Sequence, residues 1–221
     1  MAYRQIINRV LIRLREDVLS SNWTGAVIDA SSDQVDAYQK LISELVNESK
    51  QLVEDSWNWS TLRSIQTAAT SAGTDEYTLS NLNNRSRILQ VIDDTNDSTL
   101  QHMSDELYYR YKYIGTTQQG VPSFYRITDS NKIAFWPVPD GSYNIRVHAV
   151  QPQADLSNAT DTLTVSENVV VLGAYMLALN ERGEDGGTAS TIAVARFQDA
   201  LSDAITQDQN RTVNETTWYA S

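Results

Sequence analysis

Apolar residues recur with the period of an α-helix at both ends of this 221-residue chain and with the period of a β-strand in its middle. Only a mixed fold satisfies both patterns. Near the N-terminus Tyr3, Ile6, Ile7, Val10, Leu11, Leu14 and Val18 gather on one helical stripe. A capping box at Ser31 and Gln34 predicts a second helix to about Trp57, with Val35, Tyr38, Leu41, Ile42, Leu45, Val46, Leu52 and Val53 inward. Toward the other end, Ser166 caps a segment to about Arg182 that is apolar nearly all round, so neighbours must cover it. Gly173, Ala174 and Ala178 are small enough there to admit close packing, within the bundle or against another subunit. Gly183 supplies a stop, and Gly186 and Gly187 open a last helix to about Gln207. Its expected inner face is Ala189, Ile192, Ala193, Phe197, Ala200, Leu201, Ala204 and Ile205.

Between these ends the signal changes. Residues 60–70 are rich in Ser and Thr, Gly73 marks a turn, and short strands are expected at 76–79 and 87–93. Residues 98–113 read equally as helix or strand. Strands at 123–128 and 132–136 flank a polar turn, Asp129-Ser130-Asn131, and Pro137 and Pro139 end the second of them. Tyr143, Ile145, Val147 and Ala149 alternate along a third, completing an antiparallel meander with one buried face. Tyr125, Phe135, Trp136 and Tyr143 are its expected core, in preference to a sugar platform. The fold class is α+β. A discontinuous helical bundle (1–58 and 166–207) carries an inserted antiparallel β domain (59–165) and an extended tail (208–221). The tail is polar except for Val213, Trp218 and Tyr219, and its two aromatics are of the kind that anchor interfaces.

Composition narrows the function. Cysteine is absent, which removes disulfides, thiolate metal sites and cysteine nucleophiles and suits assembly in a reducing cytoplasm. A net charge of −11 argues against generalised nucleic-acid binding. The arginines of the first helix read as a solvated or interface face. No apolar run reaches membrane-spanning length, and the start lacks a secretory pattern, so a soluble, unprocessed chain is expected. His102 and His148 have no motif partner at ligand or triad spacing. Asp93, Asp94 and Asp97, and Glu181, Glu184 and Asp185, lack the order of a calcium loop. No catalytic residue, cofactor or metal is expected.

The run Gly120-Val121-Pro122-Ser123-Phe124-Tyr125-Arg126-Ile127, followed by Lys132-Ile133-Ala134-Phe135-Trp136-Pro137-Val138-Pro139-Asp140-Gly141-Ser142-Tyr143, resembles the core of short-tailed phage head-to-tail adaptors. That family is also called tail tubular protein A or head-completion protein. Gln151-Pro152, Leu156, the helix with Gly173-Ala174-Tyr175, the first helix and Trp57-Asn58-Trp59 fall where the family has matching features. The resemblance implies a structural virion protein of the neck, in a ring usually of twelve copies beneath the portal. Such a ring encloses DNA without reading its sequence and carries the next tail protein, a nozzle or fibre. It also implies a C-terminus that docks on the portal or along a neighbouring copy. A receptor- or carbohydrate-binding tail module is the alternative that the aromatic β region leaves open.

Overall fold

The computed structural model describes residues 1–31, 34–79, 83–114, 116, 118–128, 132–183 and 187–211. Its helices are α1 (Tyr3–Leu14), α2 (Ala37–Ser56), α3 (Asp105–Ile114), α4 (Glu167–Glu181) and α5 (Thr188–Gln209). The strands are β1 (Arg63–Ala69), β2 (Glu76–Thr78), β3 (Arg87–Asp93), β4 (Ser98–His102), β5 (Gln119–Gly120), β6 (Phe124–Ile127), β7 (Lys132–Trp136), β8 (Val138–Pro139) and β9 (Asn144–Val150). The chain is thus mixed α+β. It divides into two compact units, Met1–Thr61 with Gln153–Ser221, and Leu62–Pro152.

In the first unit α4 packs against α1, α2 and α5. That position accounts for a helix apolar nearly all round, since three partners cover it. Helix α1 buries Tyr3, Ile6, Ile7, Val10, Leu11 and Leu14, as its stripe predicts. It stops before Val18 because Arg15 turns left-handed (φ 61°) and the amides of Arg15 and Glu16 close back on the Ile12 and Leu11 carbonyls. Val18 is therefore outside the stripe and 46% exposed.

Helix α2 begins at Asp36, not Ser31. The Asp36 carboxylate accepts from the Tyr38 amide at 3.2 Å, while the Gln39 side chain accepts from the Asp36 amide at 3.1 Å. The Ser31 carbonyl instead closes an earlier turn onto the amides of Gln34 and Val35. Leu52, expected inward, is exposed. The inner face is also more polar than hydropathy foresees, with Ser43, Asn47, Ser49, Lys50 and Glu54 all buried. These side chains meet backbone. Asn47 Nδ2 donates to the Leu156 carbonyl at 3.0 Å, its Oδ1 accepts from the Leu156 amide at 3.0 Å, and Ser49 Oγ donates to the Val170 carbonyl at 2.9 Å.

Residues 153–165, which the sequence reading puts with the β insert, fall in the helical unit. Their backbone is held by the α2 side chains, by the Tyr3 amide donating to the Asp161 carbonyl at 2.7 Å, and by bridges from Ala2 to Thr162 and Ala26 to Asn158. Of the helices in this unit, α5 has the thinnest cover. Ser190 and Ala193 are buried, Phe197, Ala200, Leu201, Ala204 and Ile205 are half-buried, and Ala189 and Ile192 are exposed although their spacing places them inward.

The second unit is a seven-stranded sheet in the order β1-β9-β3-β4-β6-β7-β2, antiparallel except for the β4–β6 pair, with a small parallel pair β5–β8. The three strands do not form the predicted meander. Strands β6 and β7 pair as expected, but β9 lies between β1 and β3, with Val147 opposite both Gln66 and Val91. Strand β1 comes from the Ser/Thr-rich stretch, and residues 98–113 split into β4 and α3. The expected turn Asp129-Ser130-Asn131 lies outside the described residues.

The sheet also has two buried faces where one was expected. Ile133 and Phe135 of β7 join Leu79, Val91, Leu100, Ile145 and Val147 in one core, with Tyr125 and Tyr143 packed half-buried against it. Ala134 and Trp136 point the other way and form a second core with Met103, Tyr108 and Val138. Helix α3 covers that face because Tyr108 is the residue it buries.

Candidate assembly surfaces

Of the glycines described in the helical unit, Gly173 is the most tightly enclosed. A Cβ there would sit deep inside contact distance of Ser49 Oγ and 2.9 Å from Phe197 Cε2, so α2 and α5 both close on the same turn of α4. Ala174 and Ala178 are fully buried beside it, within the chain's own helices. The flank formed by Leu172, Tyr175, Met176 and Leu177 is half-buried. A charged substitution at Ala174 or Ala178 therefore tests the bundle itself before it tests any contact between copies. Close by, the Lys50 ammonium donates to the Gln153 and Ala154 carbonyls at 2.9 and 2.8 Å. It lies 3.3 Å from the Asp155 carboxylate and 3.9 Å from that of Glu54, and both the Lys50 and Glu54 side chains are wholly buried. The sequence pattern missed this ion site because Lys and Glu four residues apart on a helix ordinarily read as a solvated pair.

Of the tail residues, Val213, Trp218 and Tyr219 lie outside the described residues. The structure does show where that segment starts. Asp208, read from sequence as the first tail residue, is in the last turn of α5. Its carboxylate accepts from Ser60 Oγ at 2.6 Å, the Ser60 amide at 3.0 Å and Trp57 Nε1 at 3.2 Å. Burial pushes this carboxyl up, but the Ser60 and Trp57 hydrogen bonds and the Arg211 charge outweigh that and hold it below its ordinary value. Asp208 thereby pins the end of α5 to the end of α2. Beside it Trp59, Thr61, Thr164, Ser166, Ala204 and Gln207 line a cleft of about 250 Å³ with Asp208 and Arg211.

Helix α3 carries a cluster that sequence reading left unassigned. Arg126 is only 2% exposed, and its guanidinium sits between the Tyr108 and Tyr109 rings, 4.8 and 4.7 Å from their centroids. Its Nε lies 3.2 Å from the Asp105 carboxylate. Tyr111 stacks on Trp136 at 5.9 Å, and Tyr109 stacks on Tyr113 at 5.8 Å. One oxygen of Asp75 accepts from both Tyr108 and Lys112 at 2.7 Å. Burial pushes the Asp75 carboxyl up, yet the Lys112 and Tyr108 hydrogen bonds outweigh it and leave the group below its ordinary value. Burial and Asp75 push the Tyr108 hydroxyl up to about 12.

A lowered carboxyl stabilises the fold above its unfolded value near 3.9, and the contribution is lost as pH falls through the folded value. Asp75→Asn should accordingly lower the melting temperature at pH 7, and the gap from the native chain should close as pH is taken below about 3.9. A gap that is constant from pH 7 to pH 3 would show that the Asp75 charge contributes nothing.

The remaining residues singled out from sequence have local roles. His102 lies edge-on to Tyr125 at 5.5 Å, in a cleft of about 260 Å³ with Asn83, Asn84, Ser86, Ile88 and Ile127. His148 lies on the face of β9 opposite Val147. The Asp93 carboxylate accepts from the Thr95 amide at 2.9 Å and Asn96 Nδ2 at 2.7 Å, and Asp94 pairs with Arg146 at 2.8 Å, so this acidic run builds the β3–β4 turn. Glu184 and Asp185 lie outside the described residues. Among the described residues no group of three His, Cys, Asp or Glu is placed to hold a metal, and no helix is long and apolar enough to cross a membrane.

The buried polar side chains described above mostly tie one backbone segment to another. A family model described as SU10 adaptor protein matches residues 1–218, and the chain belongs to that family. Membership makes it a phage head-to-tail adaptor, a structural protein of the virion. No curated protein matches the chain.

Proposed function

We propose that the chain is one subunit of a closed ring beneath the phage portal, extending the DNA channel and carrying the next tail protein, and that it acts by binding and not by catalysis. The observation that carries this reading is the adaptor family match across residues 1–218, which includes both the helical unit and the β unit. A net charge of −11 supports a lumen that repels the DNA backbone and leaves it mobile. The rival reading, a sugar- or receptor-binding module, needs aromatics on an open sheet face. Burial of Phe135 and Trp136 weighs against it.

In this reading the C-terminal segment docks on the portal through Val213, Trp218 and Tyr219, and Asp208 fixes the point from which it leaves. The informative truncation ends at Arg211, because a chain ending at Gln207 would also lose the Asp208 anchor to Ser60 and Trp57. We expect the chain ending at Arg211 to fold normally and to lose most of its portal binding in co-sedimentation. Trp218→Ala with Tyr219→Ala should reproduce much of that loss. Full portal binding by the truncated chain would remove the tail from the docking mechanism.

A further inference from the structure

The two edges of the seven-stranded sheet are β1 and β2. The phase of β1 is set by the Thr70 amide donating to the Tyr143 carbonyl and the Gln151 amide donating to the Leu62 carbonyl. Even-numbered residues of this stretch therefore bond to β9. Arg63, Ile65, Thr67 and Ala69 turn their amides and carbonyls outward, away from the sheet. All four are exposed, Ile65 by 61%. On β2 the Phe135 amide donates to the Asp75 carbonyl, which leaves the backbone groups of Glu76 and Thr78 facing outward, and both residues are exposed.

A free strand edge is a template for another strand, and proteins that must stay monomeric blunt it with proline, lysine, inward charges or a bulge. Strand β1 has none of these. It holds an unbroken register with β9 over seven residues and carries one charge, at its first position.

We propose that the β1 edge of one copy pairs with the β2 edge of a second copy, joining neighbouring sheets across the subunit boundary; the proposal rests on the ring reading above. The two edges are different surfaces at opposite ends of one sheet. Such a contact is head-to-tail, the type that closes into rings, whereas β1 against β1 would give only a two-fold dimer. Strand direction agrees. Following the pairs across the sheet, β2 runs opposite to β1, so two copies in the same orientation meet there as antiparallel strands. Charge agrees as well: the basic residue of the β1 edge is Arg63 and the acidic residue of the β2 edge is Glu76. Directly opposite or diagonal, two long side chains on one face reach each other.

The test uses positions whose amides the chain's own sheet does not need. In Ile65→Pro and Thr67→Pro the lost N–H is an outward one, so each variant should keep its own ladder while blocking an added strand. Ile65→Lys blocks the edge without touching the backbone. Circular dichroism and melting should match the native chain, while native mass spectrometry of the chain, alone and bound to portal, shows loss of the cyclic oligomer. Arg63→Glu and Glu76→Arg should each weaken assembly, and the doubly exchanged chain should regain it. If the native chain forms a ring and folded Ile65→Pro and Ile65→Lys form it equally well, the edge proposal is overturned and the ring reading stands. If the native chain forms no ring even on the portal, both fall.

Discussion

Lys50→Ala is expected to be the most damaging single substitution in the helical unit, lowering its stability by about 3–5 kcal/mol. The reason is geometric. Lys50 is wholly buried, and its ammonium bridges α2 to the backbone of Gln153 and Ala154 while lying near the Glu54 carboxylate. Alanine would leave the Gln153 and Ala154 carbonyls without this donor and take the Lys50 charge away from the buried Glu54 carboxylate. Lys50→Met, which keeps the apolar stem and removes only the charge, should cost nearly as much. Adding Glu54→Leu to Lys50→Met should leave the chain well short of native stability, because the Glu54 carboxylate also accepts from the Gln153 amide at 3.2 Å. Urea denaturation followed by helical circular dichroism measures all three. Equal stability of Lys50→Met and the native chain would show that the ion site does not hold residues 153–156 in place.

Gly173→Leu should have an effect of similar size. A mid-helix glycine is about 0.5–1 kcal/mol worse than alanine, so on propensity alone Gly173→Ala would stabilise α4. The contacts reverse the sign, because a Cβ meets Ser49 Oγ and the Phe197 ring below any ordinary contact distance. Overpacking of a few heavy atoms typically costs about 1–3 kcal/mol, and leucine adds more than that site can admit without parting α2 or α5 from α4. Thermal melts should show Gly173→Ala as mildly destabilised and Gly173→Leu as severely so. Ser49→Ala in the Gly173→Ala background should recover part of the loss by removing the nearest clashing atom. A Gly173→Ala chain more stable than the native one would show that the three helices have slack at this crossing.

Periodicity made the helices legible, and family resemblance made the chain's place in the virion legible. Helix ends were less so, for specific reasons. Arg15 stops α1 by adopting a left-handed conformation that no arginine advertises, and two plausible caps, Ser31 and Asp36, lie five residues apart before α2. The sheet was legible strand by strand but not in order. Strand β9 has an apolar face that both β1 and β3 fit, and nothing in a local pattern says that it passes between them. Strand β1 itself, RSIQTAA, is a weak strand sequence because it is an edge with one side against β9. Of the candidate residues, Gly173 could be read from the sequence because small residues on an apolar helix signal close approach. Lys50, Asp208 and Arg126 were hidden because each is buried by partners far away in sequence, which turns an ordinary surface residue type into a fixed structural one.

The adaptor-ring reading is tested most directly by electron cryomicroscopy of the purified chain mixed with its phage's portal. The expected result is a closed ring of this chain bound coaxially to the portal, with an open central channel continuous with that of the portal. Portal particles without added density, and a chain that remains monomeric beside them, would contradict it.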